Sequence, residues 1–322
     1  MSQPYISKKR ILLCGTRYGQ SYLPAIFQSN NLELVGVLAK GSDRSIRIAE
    51  QCGIPFYSNV KDIDQAIDIA CVALREDIAI PIAQVLISHG CDILIEHPVS
   101  RNGIETLQKQ ARQAGKNIHI NTHFPNLPFV TQFIERCREQ TSHQPPLLIQ
   151  LHCNSRTLFS ALDILMRCFG EITVSEFQIT DLEHYKMCCF KLNNITAILI
   201  YQHWRFEIDD SADAPLGHQF TIVYPGGTLS LPSTFSPLVW SATVSPITPL
   251  NQLVSTSEDI QIDVSTIVHW RKIANQKALQ ELCTDGEEKD RPSQLQSDYT
   301  MHLCTLWSEL FEQLGFQECS QT

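Results

Sequence analysis

No stretch of this 322-residue chain approaches the ~20 apolar residues that a membrane span requires, so it reads as a soluble protein. No Cys-x-x-Cys pair occurs among its 12 cysteines, which removes the usual spacing of a structural zinc site. Those cysteines are scattered, several of them inside apolar runs (Cys14, Cys71, Cys188, Cys189), and a disulfide framework belongs to small secreted chains. Most read as buried hydrophobes. A basic surplus is missing too: the net charge of −9 argues against nucleic acid or an anionic membrane as the main partner. Lys8, Lys9 and Arg10 could open a signal peptide, but the apolar run behind them, Ile11–Cys14, is far too short for one. Internal repeats and low-complexity segments are absent. With 43% hydrophobic and 18% charged residues, the expectation is an ordinary cytoplasmic enzyme of two domains.

What is present first is alternation. Ile11–Cys14, Leu32–Leu38, Asp68–Leu74, Cys91–Glu96 and Asn117–Thr122 read as buried strands. Between them, helices are expected over Gln20–Gln28, Ser45–Gln51 (ended by Gly53), Ile80–His89, and from a Ser100 cap to Gly115. Such a run builds a parallel sheet with helices on both faces, and ligands bind beyond the carboxyl ends of its strands.

After Pro125 the pattern changes. One helix is expected over Phe129–Glu139, followed by strands at Leu147–His152, Val174–Ile179, Met187–Leu192, Ala197–Trp204 and Phe220–Tyr224. Pro225-Gly226-Gly227 reads as a hairpin turn into Thr228–Leu231. Helices are expected only at Thr157–Cys168 and Asp298–Leu314, and Ser233–Ser257 as a long loop. The expected fold is therefore α/β: a Rossmann-type doubly wound domain over 1–123, then an α+β domain over 124–322 with a largely antiparallel sheet.

Four strand ends carry polar clusters. The first runs into Gly15-Thr16-Arg17-Tyr18-Gly19, a degenerate dinucleotide turn with Arg17 and Gln20 where further glycines would stand. It is either a pyrophosphate site or a plain strand–helix turn. The second ends at Ala39-Lys40-Gly41-Ser42-Asp43-Arg44, with no acid at the strand end for a ribose hydroxyl. Lys40, Ser42 and Arg44 suit a 2′-phosphate, hence NADPH over NADH, unless the loop is simply solvated. The fourth ends in Glu96-His97-Pro98, where a histidine either relays a proton beside the nicotinamide or packs on the loop. The fifth ends in Asn121-Thr122-His123-Phe124-Pro125, at the domain junction, where His123 either meets substrate or bridges domains. His152, His203 and Trp204 are candidates for lining a substrate cleft.

These motifs together resemble the glucose–fructose oxidoreductase/inositol dehydrogenase superfamily. Most members have lysine in the Glu-x-Pro motif; the histidine here is similar to the thiazolinyl imine reductase branch of siderophore assembly. The resemblance covers residues 10–125, including Leu32–Ser45, Gly53–Tyr57 and Asp68–Arg75, and is architectural beyond them. It implies NADPH-dependent reduction of a thiazoline C=N bond, on a thioester held by a carrier domain of a nonribosomal peptide synthetase. It adds Arg75 and Glu96 to the cofactor-binding candidates. It also implies two proton donors, the histidine at His97 and a tyrosine before the proline, where this chain has Phe124. His97 is then the expected principal donor, His123 the substitute, and Phe124 a substrate contact. A homodimer through the second-domain sheet is expected. Two alternatives stay open, a sugar or polyol dehydrogenase of the same superfamily and a non-catalytic NADP-binding protein.

Overall fold

The computed structural model describes residues 8–183, 185–202, 217–243, 255–256, 262–283 and 294–315. By compactness the chain divides into two units: Met1–His123 with Val268–Cys304, and Phe124–Ile267 with Thr305–Thr322. The expected continuous stretch 124–322 is thus interrupted, because one of its segments packs with the first unit. Among the described residues, no helix is long and apolar enough to cross a membrane.

The first unit holds a six-stranded sheet in the order β3-β2-β1-β4-β5-β6. Its strands are β1 (Lys9–Cys14), β2 (Leu32–Leu38), β3 (Phe56–Tyr57), β4 (Ile69–Val72), β5 (Asp92–Glu96) and β6 (Ile118–Asn121). All pairs are parallel. Such strands are covered on both faces, which is why Ile11, Leu12, Leu13 and Cys14 form an unbroken apolar run with no exposure at all. Register brings the carboxyl ends level: Cys14 lies opposite Leu38 on one side and Val72 on the other, and Glu96 opposite Asn121. The strand order reverses direction around β1, which is where an open α/β sheet forms its crevice.

The helices between these strands are α1 (Leu23–Phe27), α2 (Asp43–Cys52), α3 (Glu76–Ser88) and α4 (Arg101–Ala114). The expected helix over Gln20–Gln28 is shorter and begins as one 3-10 turn, Gly19–Tyr22. Pro24 has no N–H to return to the carbonyl of Gln20, so α bonding cannot start earlier. Helix α4 matches its cap signals: Ser100 Oγ accepts from Gly103 N–H, Ile104, Leu107 and Ala111 are buried, and Gly115 ends it at a positive φ of 65°. The Glu76 carboxylate in turn accepts from Ser100 N–H at 2.9 Å and from its hydroxyl at 2.5 Å. That pair ties the start of α3 to the segment that follows β5.

The second unit is an eight-stranded sheet in the order β14-β13-β12-β11-β7-β10-β9-β8. Its elements are α5 (Pro128–His143), β7 (Leu148–Asn154), α6 (Leu158–Phe169), β8 (Val174–Asp181), β9 (Lys186–Leu192), β10 (Ile195–Gln202), β11 (Gln219–Tyr224), β12 (Gly227–Leu231), β13 (Val239–Ala242) and β14 (Ser255–Thr256). Pairing is antiparallel except between β7 and β10. The hairpin at Pro225-Gly226 is present, with Tyr224 opposite Gly227. Two corrections apply. The expected loop Ser233–Ser257 contains β13 and β14, short strands whose signal is weak. Helix α7 (Val264–Cys283) has no counterpart in the sequence expectations, and it precedes α8 (Gln294–Gln313). The division between the two units falls within α8.

Ser100→Ala removes both the cap of α4 and the hydroxyl that Glu76 receives. Chemical denaturation should show a loss of ~1–2 kcal/mol, at the upper end of cap substitutions.

Candidate active site

The turn after β1 is a place where only glycine fits. Gly15 has a φ of 81°, and a Cβ there would lie 2.5 Å from the carbonyl oxygen of Ala73 and 2.7 Å from Leu74 Cδ2. A Cβ on Gly19 would lie 2.9 Å from Leu13 Cδ1. The turn is therefore pressed onto the ends of β1 and β4, with Thr16 buried and Arg17 exposed between the two glycines. This compact turn at the reversal point of a parallel sheet has the form that receives a dinucleotide.

Beyond β2, Lys40 on the loop, Ser42 at its end and Arg44 in the first turn of α2 are all exposed. Ser42 is at the same time the N-cap of α2, its Oγ accepting from Ser45 N–H at 3.4 Å. The nearest acid, Asp43, lies in the first turn of that helix rather than at the strand end. Arg75 is exposed and paired with Asp77 at 2.5 Å.

At the ends of β5 and β6 the polar residues close into a network. The Glu96 carboxylate accepts from the Tyr22 hydroxyl and, at 2.8 Å, from Asn121 Nδ2. Asn121 Nδ2 also lies 3.1 Å from Asn275 Oδ1, and Asn275 Nδ2 donates to the Ser21 carbonyl at 3.2 Å. Burial raises the Glu96 carboxyl from its ordinary 4.5 to about 8, and the Asn121 bond opposes this in part. Next along the chain, the Nδ1–H of His97 donates to the Asn121 carbonyl at 2.7 Å. A carbonyl only accepts, so that proton fixes the tautomer and leaves Nε2 as the nitrogen that gains and loses a second one. Glu96 Oε2 stands 3.7 Å from the same Nδ1.

His123, just past β6, is buried, with its ring centroid 6.3 Å from that of His97. Its Nδ1 is 2.9 Å from the Tyr18 hydroxyl. Tyr18 stands edge-on to Tyr22, their centroids 6.4 Å apart. Burial, and then the nearby Glu96 carboxylate, hold the Tyr18 phenol well above its usual range, against the opposing charge of Arg271. The structure thus brings Tyr18, His97 and His123 together, and seats Glu96 behind them. Tyr22, Asn121, Arg271 and Asn275 are not anticipated in these roles by the sequence. Asn121 belongs to a visible motif, whereas Asn275 is 154 residues away from it and carries no sequence signal.

The remaining candidates sit in the second unit. Phe124 is 7% exposed and meets His218 edge-on, with ring centroids 4.8 Å apart. His152 bonds Gln219 Oε1 at 3.2 Å and packs on Tyr185. His203 and Trp204 lie outside the described residues.

Two family models match the chain. Residues 9–122 match the oxidoreductase family with an NAD-binding Rossmann fold, GFO/IDH/MocA. Over those residues the chain belongs to that family. Residues 144–241 match the model described as thiazolinyl imine reductase Irp3-like, C-terminal. It is accordingly an oxidoreductase of the NAD(P)-binding kind. No curated protein matches its sequence. Among solved structures it is similar to KijD10, a 3-ketoreductase from Actinomadura kijaniata in complex with NADP. That match has a TM-score of 0.72 at 14% identity, covering 94% of this chain and 96% of that one. It is also similar to biliverdin reductase from Synechocystis sp. PCC 6803, with TM-score 0.67, 16% identity, and 93% and 98% covered. A dehydrogenase from Chromobacterium violaceum gives TM-score 0.68 at 14% identity, with 96% and 98% covered. Likeness at these identities is a likeness of fold.

Glu96 gives a pH signature. The folded protein keeps a proton on Glu96 that the unfolded chain releases near 4.5, so folding takes up a proton between there and about 8. That stabilisation is complete below the unfolded value and is lost as pH rises through the folded one, by up to ~1.4 kcal/mol per pH unit. Glu96→Gln keeps the acceptor oxygen and has no proton to lose. Thermal melts should show the variant gaining on the parent between about pH 5 and about pH 9.

Proposed function

We propose that the protein is an NADPH-dependent reductase of a thiazoline C=N bond, giving a thiazolidine on a carrier-bound intermediate of nonribosomal siderophore assembly. The observation that carries this reading is the match of residues 144–241 to the thiazolinyl imine reductase model, joined to a Rossmann oxidoreductase domain. The Glu-His-Pro segment, with histidine in the strand-end position, supports it from the other half of the chain.

The residues divide the work by place. The turn from Gly15 to Gly19 would take the pyrophosphate, with Thr16, Arg17 and Tyr18 between the glycines. Lys40 and Arg44, exposed beyond β2, whose end carries no acid, would meet the 2′-phosphate. NADPH, when bound, supplies a hydride to the imine carbon. The nitrogen left electron-rich must then be protonated, a step this reading assigns to His97. Its Nδ1–H is held by the Asn121 carbonyl, so the imidazolium offers the Nε2–H, with Glu96 Oε2 close behind the ring. Phe124 has no exchangeable proton to offer.

The direct test is turnover of a thiazoline thioester on its carrier domain, followed by loss of NADPH fluorescence. No turnover with any carrier-bound thiazoline would overturn the reading, as would equal kcat/KM for free thiazoline acids and carrier-bound ones. Arg44→Ala should weaken NADPH roughly ten-fold or more and leave NADH nearly unchanged. His97→Ala should lower kcat by roughly 10²–10⁴-fold with little change in NADPH affinity, read by steady-state kinetics beside a fluorescence titration.

A further inference from the structure

His97 and His123 present a problem of proton placement. Their ring centroids are 6.3 Å apart, and both side chains are nearly withdrawn from water. Two imidazolium ions at that spacing repel, so the second proton is disfavoured by about one to two pH units. A reductase that needs its proton on His97 must therefore keep His123 uncharged. Among the described residues, charged and titratable groups face the pair from at least four elements. Glu96 ends β5, Tyr18 belongs to the glycine turn, Tyr22 closes the following 3-10 turn, and Arg271 approaches Tyr18 from α7. Glu96 is nearer in kind to His97, with Oε2 at 3.7 Å from its Nδ1. His123 meets a phenol instead, at 2.9 Å.

We propose that Tyr18 is a positioning residue for proton handling: its phenol donates to Nδ1 of His123, keeps that ring neutral, and so reserves the working proton for His97. The direction of the bond follows from what surrounds the hydroxyl. Tyr18 is partly buried and beside a carboxyl group, conditions that keep a phenol protonated and able only to share its hydrogen. A nitrogen lone pair that accepts a hydrogen bond is a nitrogen that resists protonation. Arg271, whose charge acts on the Tyr18 phenol, adds a cation next to that phenol's partner and so works against a further positive charge there. No net proton moves in this arrangement: the Tyr18 O–H bond persists through turnover, and only the Nε2–H of His97 breaks and is restored.

For its consequence in turnover the proposal rests on the reductase reading, and the experiment separates the two. Tyr18→Phe keeps the ring that packs on Tyr22 and removes the bond to His123. Histidine side-chain NMR titration of the cofactor-free protein should then show His123 taking up a proton that it does not take in the parent. The His97 titration should shift lower by about one pH unit. In kinetics with a carrier-bound thiazoline, the alkaline limb of kcat should move to lower pH by the same amount. The readout is the displacement of that limb relative to the variant's own acid plateau, which a change in NADPH affinity through the glycine turn does not move. Identical His123 titration in parent and variant overturns the proposal. So does a uniform loss of kcat at every pH, which is what mere structural damage would give. A parent that turns over no thiazoline overturns the reductase reading instead, and the titration still decides Tyr18.

Discussion

A carboxyl group withdrawn from water has to be met by donors, and Glu96 is met by the Tyr22 hydroxyl and the Asn121 amide. Those two bonds connect β5, β6 and the helical turn after the glycine loop. They lie at the carboxyl ends of the strands, where an open α/β sheet binds its ligands. Through Asn121 the same node extends to Asn275 on α7, and through the Asn121 carbonyl it fixes the tautomer of His97. Remove the carboxyl and the Tyr22 hydroxyl and the Asn121 amide lose the acceptor they share. Its burial also accounts for the raised carboxyl, because a charge placed there would lose its hydration with only uncharged partners to replace it.

Much of this arrangement is legible in the sequence. Parallel strands covered on both faces read as near-continuous apolar runs, and Leu32–Leu38, broken only by the exposed Glu33, has the limits that the sequence suggests. Glycines at Gly53 and Gly115 end helices because their backbone turns left-handed there, so helix ends are legible too. Helix α7 is not. Its buried side is made of small and polar residues, Ala274, Asn275 and Ala278, with Leu279 and Leu282, while Val264, Val268 and Ile273 lie exposed. No amphipathic stripe of the usual kind reaches the eye.

The site divides the same way. His97, His123 and the cation-bearing loop stand out because strand ends are where α/β sheets bind ligands. The contacts among them do not. Tyr18 reads as a cofactor contact from its place in the glycine turn, and only the level ends of β1, β5 and β6 bring its hydroxyl to His123. Arg75, read from motif position, turns out to be held by Asp77 two residues on. Local sequence tells what a turn can bind, and topology decides which turns face one another.

The return of Val268–Cys304 to the first unit has a consequence for synthesis. A ribosome delivers the whole glycine turn, all six parallel strands and both histidines long before Asn275 emerges. Until then the Asn121 amide has Tyr22 and Glu96 but not the Asn275 oxygen, and the Ser21 carbonyl has no Asn275 amide to accept from. The segment Val268–Cys304 therefore acts as a closing stitch. A gene fragment ending at the apparent domain boundary would encode the sheet without it.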